Sequence, residues 1–312
     1  MSRPRILQNG PQLPDLEKQL GEHFDVHALH QESDRDAFLA ANGASFVGLV
    51  TSARYGANAA LIDALPNLRV ISSFGVGLDT LAVDRAKARG IQIGYTPDVL
   101  NDCVADTAFA LLIDAARRFS ESDRYLRAGK WAKAPFPMST KVSGKRLGIL
   151  GLGRIGKVVA KRASGFDMEV RYHNRRKDPA VSYTYMETLK GLAEWADFLV
   201  VVSAGGPETR HLVSAEILAA LGPKGFVINV ARGSVIDQDA LIRALQDGTI
   251  GGAGLDVYDN EPNISEVLFG LDNAVLLPHL ASGTHETRAA MAALTFDNLA
   301  EFFRTGHVKV AA

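Results

Sequence analysis

Residues 146–166 read RLGILGLGRIGKVVAKRASGF: an apolar run, three glycines and an amphipathic helix pattern in immediate succession. Few folds accommodate that order. An uninterrupted apolar run of this length reads as a strand buried on both faces. A glycine-rich turn leading straight into a helix is the junction of a parallel βαβ unit. Gly151, Gly153 and Gly156 have the G-x-G-x-x-G spacing. The first glycine allows a tight turn, the second lets the backbone approach a pyrophosphate, and the third allows close helix–strand packing. Free N–H groups at the helix start then face the phosphates. Gly151, Leu152, Gly153, Arg154, Ile155 and Gly156 are therefore candidate dinucleotide-binding residues. A glycine-rich turn without a ligand is the bland alternative.

The second strand of such a unit ends about 20 residues beyond the glycines, where an acid holds the ribose hydroxyls of NAD. Here EVRYHN ends at Asn174, and Arg175 and Arg176 follow. An Asp would repel a 2′-phosphate. Asn does not, and two guanidinium groups can give it charge-assisted hydrogen bonds. The turn predicts NADPH (NADP) as the preferred cofactor, with NADH used weakly. A solvated basic turn is the alternative.

The same alternation of short apolar runs and helical segments extends over the chain and argues for an α/β protein with parallel sheets. In the first third the candidate strands are RILQ, DVHAL, FVGLVT, RVISSF and IQIGY. One long amphipathic helix is expected from an N-cap at Asp98 to a stop at Gly129. Its stripe is Leu100, Val104, Ala108, Leu111, Ala115 and Phe119. The proline-containing segment KWAKAPFPMSTKVSGK reads as an extended excursion. Further strands are RLGILG, EVRYHN, FLVVVS, FVINV, GGAGLDV and AVLLPH, and a terminal helix carries Met291, Leu294, Leu299 and Phe302 on one stripe. That helix can cross back to the first domain. The expected division is 1–99 plus 285–312 as a substrate domain and 100–284 as a dinucleotide-binding domain.

With 312 residues the chain is long enough for two domains. A formal net charge of −1 gives no global attraction to nucleic acid or to an anionic membrane. Cys103 is the only cysteine, so neither an intrachain disulfide nor a thiolate zinc cluster can form, and no metal is expected. No secretory signal is visible, and the apolar runs are too short to span a bilayer. The cytoplasm is the expected compartment.

Three stretches in the second half look chemical. VINVARGSVID places Arg232 just after an apolar strand, GLDVYDNEP does the same for Asp256 and Glu261, and AVLLPHLASGT for His279. Strand C-terminal ends are the ligand edge of an open α/β sheet. Each residue has a bland reading: a capping Arg, a solvated Glu, a core imidazole. Together they compose a set. A carboxylate beside an imidazole favours the protonated ring and raises its pKa. A protonated His can donate to a carbonyl oxygen while hydride reaches the carbon. A guanidinium can hold a carboxylate or polarise the carbonyl.

The series SSFGVGLD, GLGRIG, VARGSVID, GGAGLDVYDNEP and LLPHLASGT resembles the D-isomer-specific 2-hydroxyacid dehydrogenases, over nearly the whole chain and in order. TPDVLNDCVAD, ALGPKG and the Arg-rich turn are similar to the glyoxylate/hydroxypyruvate reductases, including the plant hydroxyphenylpyruvate reductases. The resemblance implies an α/β fold of two Rossmann/flavodoxin-like, doubly wound parallel-sheet domains with an inter-domain cleft. It implies that Arg232 binds the 2-keto acid, Glu261 tunes His279, and His279 is the proton donor. It implies that the N–H groups of Val76 and Gly77 hold the substrate carboxylate; the glycines of FGVGLD suit close approach to an anion. Thr107, Ser203, Ala231, Arg232, Asp256, His279 and Ser282 join the cofactor set, and a homodimer forms through the helix and excursion before residue 145. The implied activity is NADPH-dependent reduction of glyoxylate or hydroxypyruvate. Alternatives are a reductase of bulkier aryl pyruvates and, remotely, a non-enzymatic dinucleotide-sensing corepressor-like protein. SAGGPET departs from the family's usual CPLTPET, and Arg54 and Tyr55 differ from several relatives, which leaves those contacts open.

Overall fold

The computed structural model describes residues 3–312 and divides into two α/β units, Met1–Leu100 with Gly283–Ala312, and Asn101–Ser282. The chain order of the first unit is β1 (Arg5–Gln8), α1 (Pro14–His23), β2 (Asp25–Ala28), α2 (Arg35–Asn42), β3 (Gly48–Ser52), α3 (Ala59–Asp63), β4 (Val70–Phe74), α4 (Val83–Ala88) and β5 (Gln92–Gly94). All strands pair in parallel, in the order β2-β1-β3-β4-β5. This is the flavodoxin-like winding, with its reversal between β1 and β3. Leu7, Leu49, Ile71 and Ile93 lie in the core on one face of the sheet, with Phe46 and Ile62. Local sequence explains the helix starts: Asp34 and Asn58 accept hydrogen bonds from the N–H groups of Ala37 and Leu61.

The second unit runs α5 (Asn101–Arg117), α6 (Phe119–Arg127), β6 (Arg146–Leu150), α7 (Arg154–Ala163), β7 (Glu169–His173), β8 (Thr184–Tyr185), α8 (Leu189–Trp195), β9 (Phe198–Val201), α9 (Ala215–Leu221), β10 (Phe226–Asn229), α10 (Gln238–Gln246), β11 (Gly252–Leu255) and β12 (Ala274–Leu276). Its seven parallel strands are ordered β12-β11-β10-β9-β6-β7-β8. The reversal falls between β6 and β9, beside the glycine turn, as in a dinucleotide-binding sheet. β9 and β10 are buried along their whole length, which is why they read as unbroken apolar runs. The short strand β8 carries no such pattern and is absent from the sequence reading. The last helix, α11 (His285–Thr305), belongs to the first unit.

The single long helix expected from Asp98 to Gly129 is corrected to two. Asp98 has a φ of 68° and lies before the helix; α5 begins at Asn101. Arg118 adopts the left-handed conformation, φ 57° and ψ 40°, and separates α5 from α6. The Asp114 carboxylate accepts from the Ser120 N–H, and Arg118 pairs with Glu121 at 2.5 Å, so the break is held by local polar contacts. No residue of α6 is buried, and Phe119, expected on the apolar stripe, is half exposed. Without burial on α6, nothing enforces a continuous rod. Beyond Gly129 the chain makes one 3₁₀ turn, Lys130–Ala132, and then runs without regular structure to β6. Among the described residues no helix is long and apolar enough to cross a membrane, and no three His, Cys, Asp or Glu side chains gather as a metal site.

Candidate active site

In the second unit every sequence-derived candidate except Thr107 follows the C-terminal end of a strand, and all the strands are parallel. Thr107 lies on α5 and donates to the carbonyl of Cys103, with a longer contact of 3.4 Å to that of Ala281. After β6, Gly151 has a φ of 105°, and a Cβ there would lie 2.6 Å from the Ser203 nitrogen. At Gly156 a Cβ would lie 2.3 Å from the Gly151 carbonyl oxygen. Gly153 differs, because a Cβ there would meet nothing within 4 Å. The fold therefore requires two of the three glycines. The third leaves exposed backbone at the start of α7, a helix with no side-chain cap.

After β7 the Asn174 Oδ1 accepts from the Leu152 N–H at 2.7 Å, tying the second strand's end to the glycine turn. Arg175 and Arg176 are exposed, and Arg175 pairs with Glu208. After β9 the Ser203 Oγ is buried and has no partner among the described residues, although it borders Gly151. A buried hydroxyl without a partner, open backbone at Gly153 and two nearby guanidinium groups fit a phosphate-bearing dinucleotide.

The chemical groups follow β10, β11 and β12. Asn229, 1% exposed, donates to the Arg232 carbonyl and accepts from the Ala231 N–H, so it fixes the backbone that presents Arg232. The Arg232 Nη1 donates to the Ala231 carbonyl at 2.8 Å. His279 Nδ1 lies 2.6 Å from Glu261 Oε2, while Glu261 Oε1 accepts from the Tyr258 N–H at 2.9 Å. Burial alone would push the Glu261 carboxyl up. The His279 hydrogen bond, the Tyr258 N–H and the charges of His279 and Arg232 outweigh it and hold Glu261 below its ordinary value. Glu261 is therefore a carboxylate near neutral pH. With Nδ1–H given to Glu261, His279 Nε2 is the nitrogen left for other partners.

His279 stands in the left-handed region with φ 53°, a costly conformation for a residue with a Cβ. Asp256, 1% exposed, holds it there. Its two carboxylate oxygens accept from the N–H groups of Leu280 and Ala281, the residues directly after His279, at 2.7 and 2.9 Å. Burial raises the Asp256 pKa, and those N–H bonds offset it only in part. Tyr258 braces the same segment by donating its hydroxyl to the Leu277 carbonyl. Burial also raises its phenol, and the Asp256 charge adds to that. Asn229 and Tyr258 were missed from the sequence. Only their position, at or just after a strand's end beside a flagged residue, could have pointed to them. Ser282 closes this stretch as the last residue of the unit.

Val76 and Gly77 lie in the first unit, in the turn after β4. Gly75 has a φ of 138° and packs against Ala53, and its N–H donates to the Thr96 hydroxyl. Among the described residues of this unit the Val76 and Gly77 N–H groups meet no acceptor, the condition for an anion cradle.

Two parallel α/β sheets, a dinucleotide turn at a topological switch point and an acid-paired histidine on the same sheet edge define a nicotinamide-dependent oxidoreductase class. The chain belongs to the D-isomer-specific 2-hydroxyacid dehydrogenase family, whose NAD-binding-domain model matches residues 109–281. It is 45% identical to the hydroxyphenylpyruvate reductase of Plectranthus scutellarioides, over 96% of this chain and 95% of that one. It is 44% identical to the glyoxylate/hydroxypyruvate reductase A HPR2 of Arabidopsis thaliana, with the same coverage. Among solved structures it is similar to the NADPH-dependent glyoxylate/hydroxypyruvate reductase of Sinorhizobium meliloti in complex with NADP and malonate. There the TM-score is 0.93 and the identity 43%, over 100% of this chain and 97% of that one.

Proposed function

We propose that this protein is an NADPH-preferring reductase of small 2-keto acids, glyoxylate or hydroxypyruvate. The observation that carries the reading is the 2.6 Å His279–Glu261 pair on the ligand edge of a nicotinamide-binding sheet. The bound cofactor supplies the hydride. His279 carries the proton to the carbonyl oxygen from Nε2 while Nδ1–H stays with Glu261. Glu261 orients the ring through Nδ1–H, and Asp256 and Tyr258 fix the ring's backbone. Arg232 engages the keto acid, and the N–H groups of Val76 and Gly77 hold its carboxylate. Asn174, Arg175 and Arg176 favour the 2′-phosphorylated cofactor. Similarity to a hydroxyphenylpyruvate reductase supports a second reading, with aryl pyruvates as substrates. Initial rates for glyoxylate, hydroxypyruvate and hydroxyphenylpyruvate, each with NADPH and NADH, decide between them. The leading reading expects the highest kcat/KM with NADPH and a small keto acid. A preference for the aryl substrate selects the second, and no turnover of any of the three rejects both.

A further inference from the structure

The segment SAGGPET, which departs from the family's usual CPLTPET in its first four positions, forms an ordered turn. Gly206 takes φ 133° and ψ 175°, a combination essentially confined to glycine, with open space where a Cβ would stand. The requirement there is therefore for the backbone angles. The turn Pro207–Thr209 follows, and the Thr209 hydroxyl bonds the carbonyls of Ala204 and Gly206 at 2.9 and 3.1 Å. Glu208 stands in this turn and meets Arg175 at 2.5 Å. Arg175 follows β7 and Glu208 follows β9, while β6 lies between those strands in the sheet. The ion pair therefore bridges the strand that ends in the glycine turn.

We propose that Glu208 is a built-in counter-charge that tempers the preference for NADPH over NADH. It engages Arg175 until a nucleotide phosphate displaces it. The inference rests on the cofactor reading above. A 2′-phosphate must take Arg175 from Glu208 and then sit near its carboxylate, whereas a cofactor with a free 2′-hydroxyl leaves the pair intact. Glu208 thus weakens the phosphorylated cofactor selectively, by an amount that solvent keeps small. Both side chains are more than 70% exposed. Ion pairs of this kind correspond to about a two- to fivefold change in affinity.

Dissociation constants of NADPH and NADH, from fluorescence titration of wild type, Glu208→Gln, Arg175→Ala and the double variant, test it. Glu208→Gln should bind NADPH about two- to fivefold more tightly, with NADH unchanged. The gain should vanish in the Arg175→Ala background and shrink as salt is added. A merely structural role for Glu208 would move both cofactors together, and that outcome overturns the proposal, as does unchanged or weaker NADPH binding. If Arg175→Ala weakens NADPH while Glu208→Gln does nothing, the counter-charge falls and the cofactor reading stands. If Arg175→Ala binds NADPH like wild type, the cofactor reading falls and the counter-charge with it.

Discussion

At the scale of single residues, the chemistry we propose rests on a histidine held in a backbone conformation it would not choose. The residues proposed for the chemistry stood out in the sequence because Arg232, Asp256 and His279 closely follow apolar runs, and parallel strands bring such positions to one edge. The supports were not legible. Asn229 reads as the end of a strand, Tyr258 as a turn residue, and nothing in the sequence announces that Asp256 bonds the two residues after His279. His279→Ala should lower kcat by about 10²–10⁴-fold while NADPH still binds, measured by turnover and by fluorescence titration. Full activity would remove His279 from the mechanism. Glu261→Gln, which loses the carboxylate facing His279 Nδ1, should lower kcat while NADPH binding is unchanged. Wild-type turnover in that variant would contradict the assignment. Stability follows the sign of the Glu261 shift. A depressed carboxyl stabilises the fold above its ordinary value of 4.5, and that contribution is lost as pH falls through the folded-state value. Thermal unfolding of Glu261→Gln and wild type should therefore differ near neutral pH and converge in acid.

At the scale of elements, the glycine turn separates what the fold needs from what a ligand needs. Gly151 and Gly156 face backbone atoms at 2.6 and 2.3 Å, whereas Gly153 faces nothing. Gly153→Ala should fold with an unchanged melting temperature yet bind NADPH more weakly, by tenfold or more if the backbone touches the pyrophosphate. Gly156→Ala should lose stability instead. Equal affinity in Gly153→Ala would mean that no phosphate approaches there. The three-glycine spacing showed that a turn exists, but one sequence could not say which glycine served which purpose. The α5–α6 break was likewise hidden. The apolar spacing runs on through Phe119, and only the absence of a buried partner shows that the second helix lies outside the core.

At the scale of the whole molecule, the first unit is discontinuous in sequence and is completed by α11. The alternation of strands and helices revealed the sheets. The stitching of α11 to its unit rests on long-range contacts with no local signature. Asn298 is fully buried, donates to the Tyr95 carbonyl and accepts from the Val310 N–H. The Ser72 hydroxyl donates to the Thr295 carbonyl. Asn298→Ala removes the partner of two partly buried backbone groups and should cost about 1–3 kcal/mol. Hydrogen exchange should rise in β4, β5 and α11 while β9 and β10 stay protected; a uniform rise would contradict independent units. Trp131, 67% exposed, and Met138, fully exposed, support our proposal that a second copy covers the segment before β6. Light scattering at micromolar concentration should give twice the 33.5 kDa chain mass. A monomer mass would refute the dimer. The discontinuity also has a consequence during synthesis. The ribosome releases β1 to β5 well before α11, with all of the second unit still to be made, a delay of roughly ten seconds or more at ~5–20 residues per second. Through that interval the nascent sheet lacks one of its covering helices, so the newborn chain, more than the finished protein, is the species that chaperones must shield.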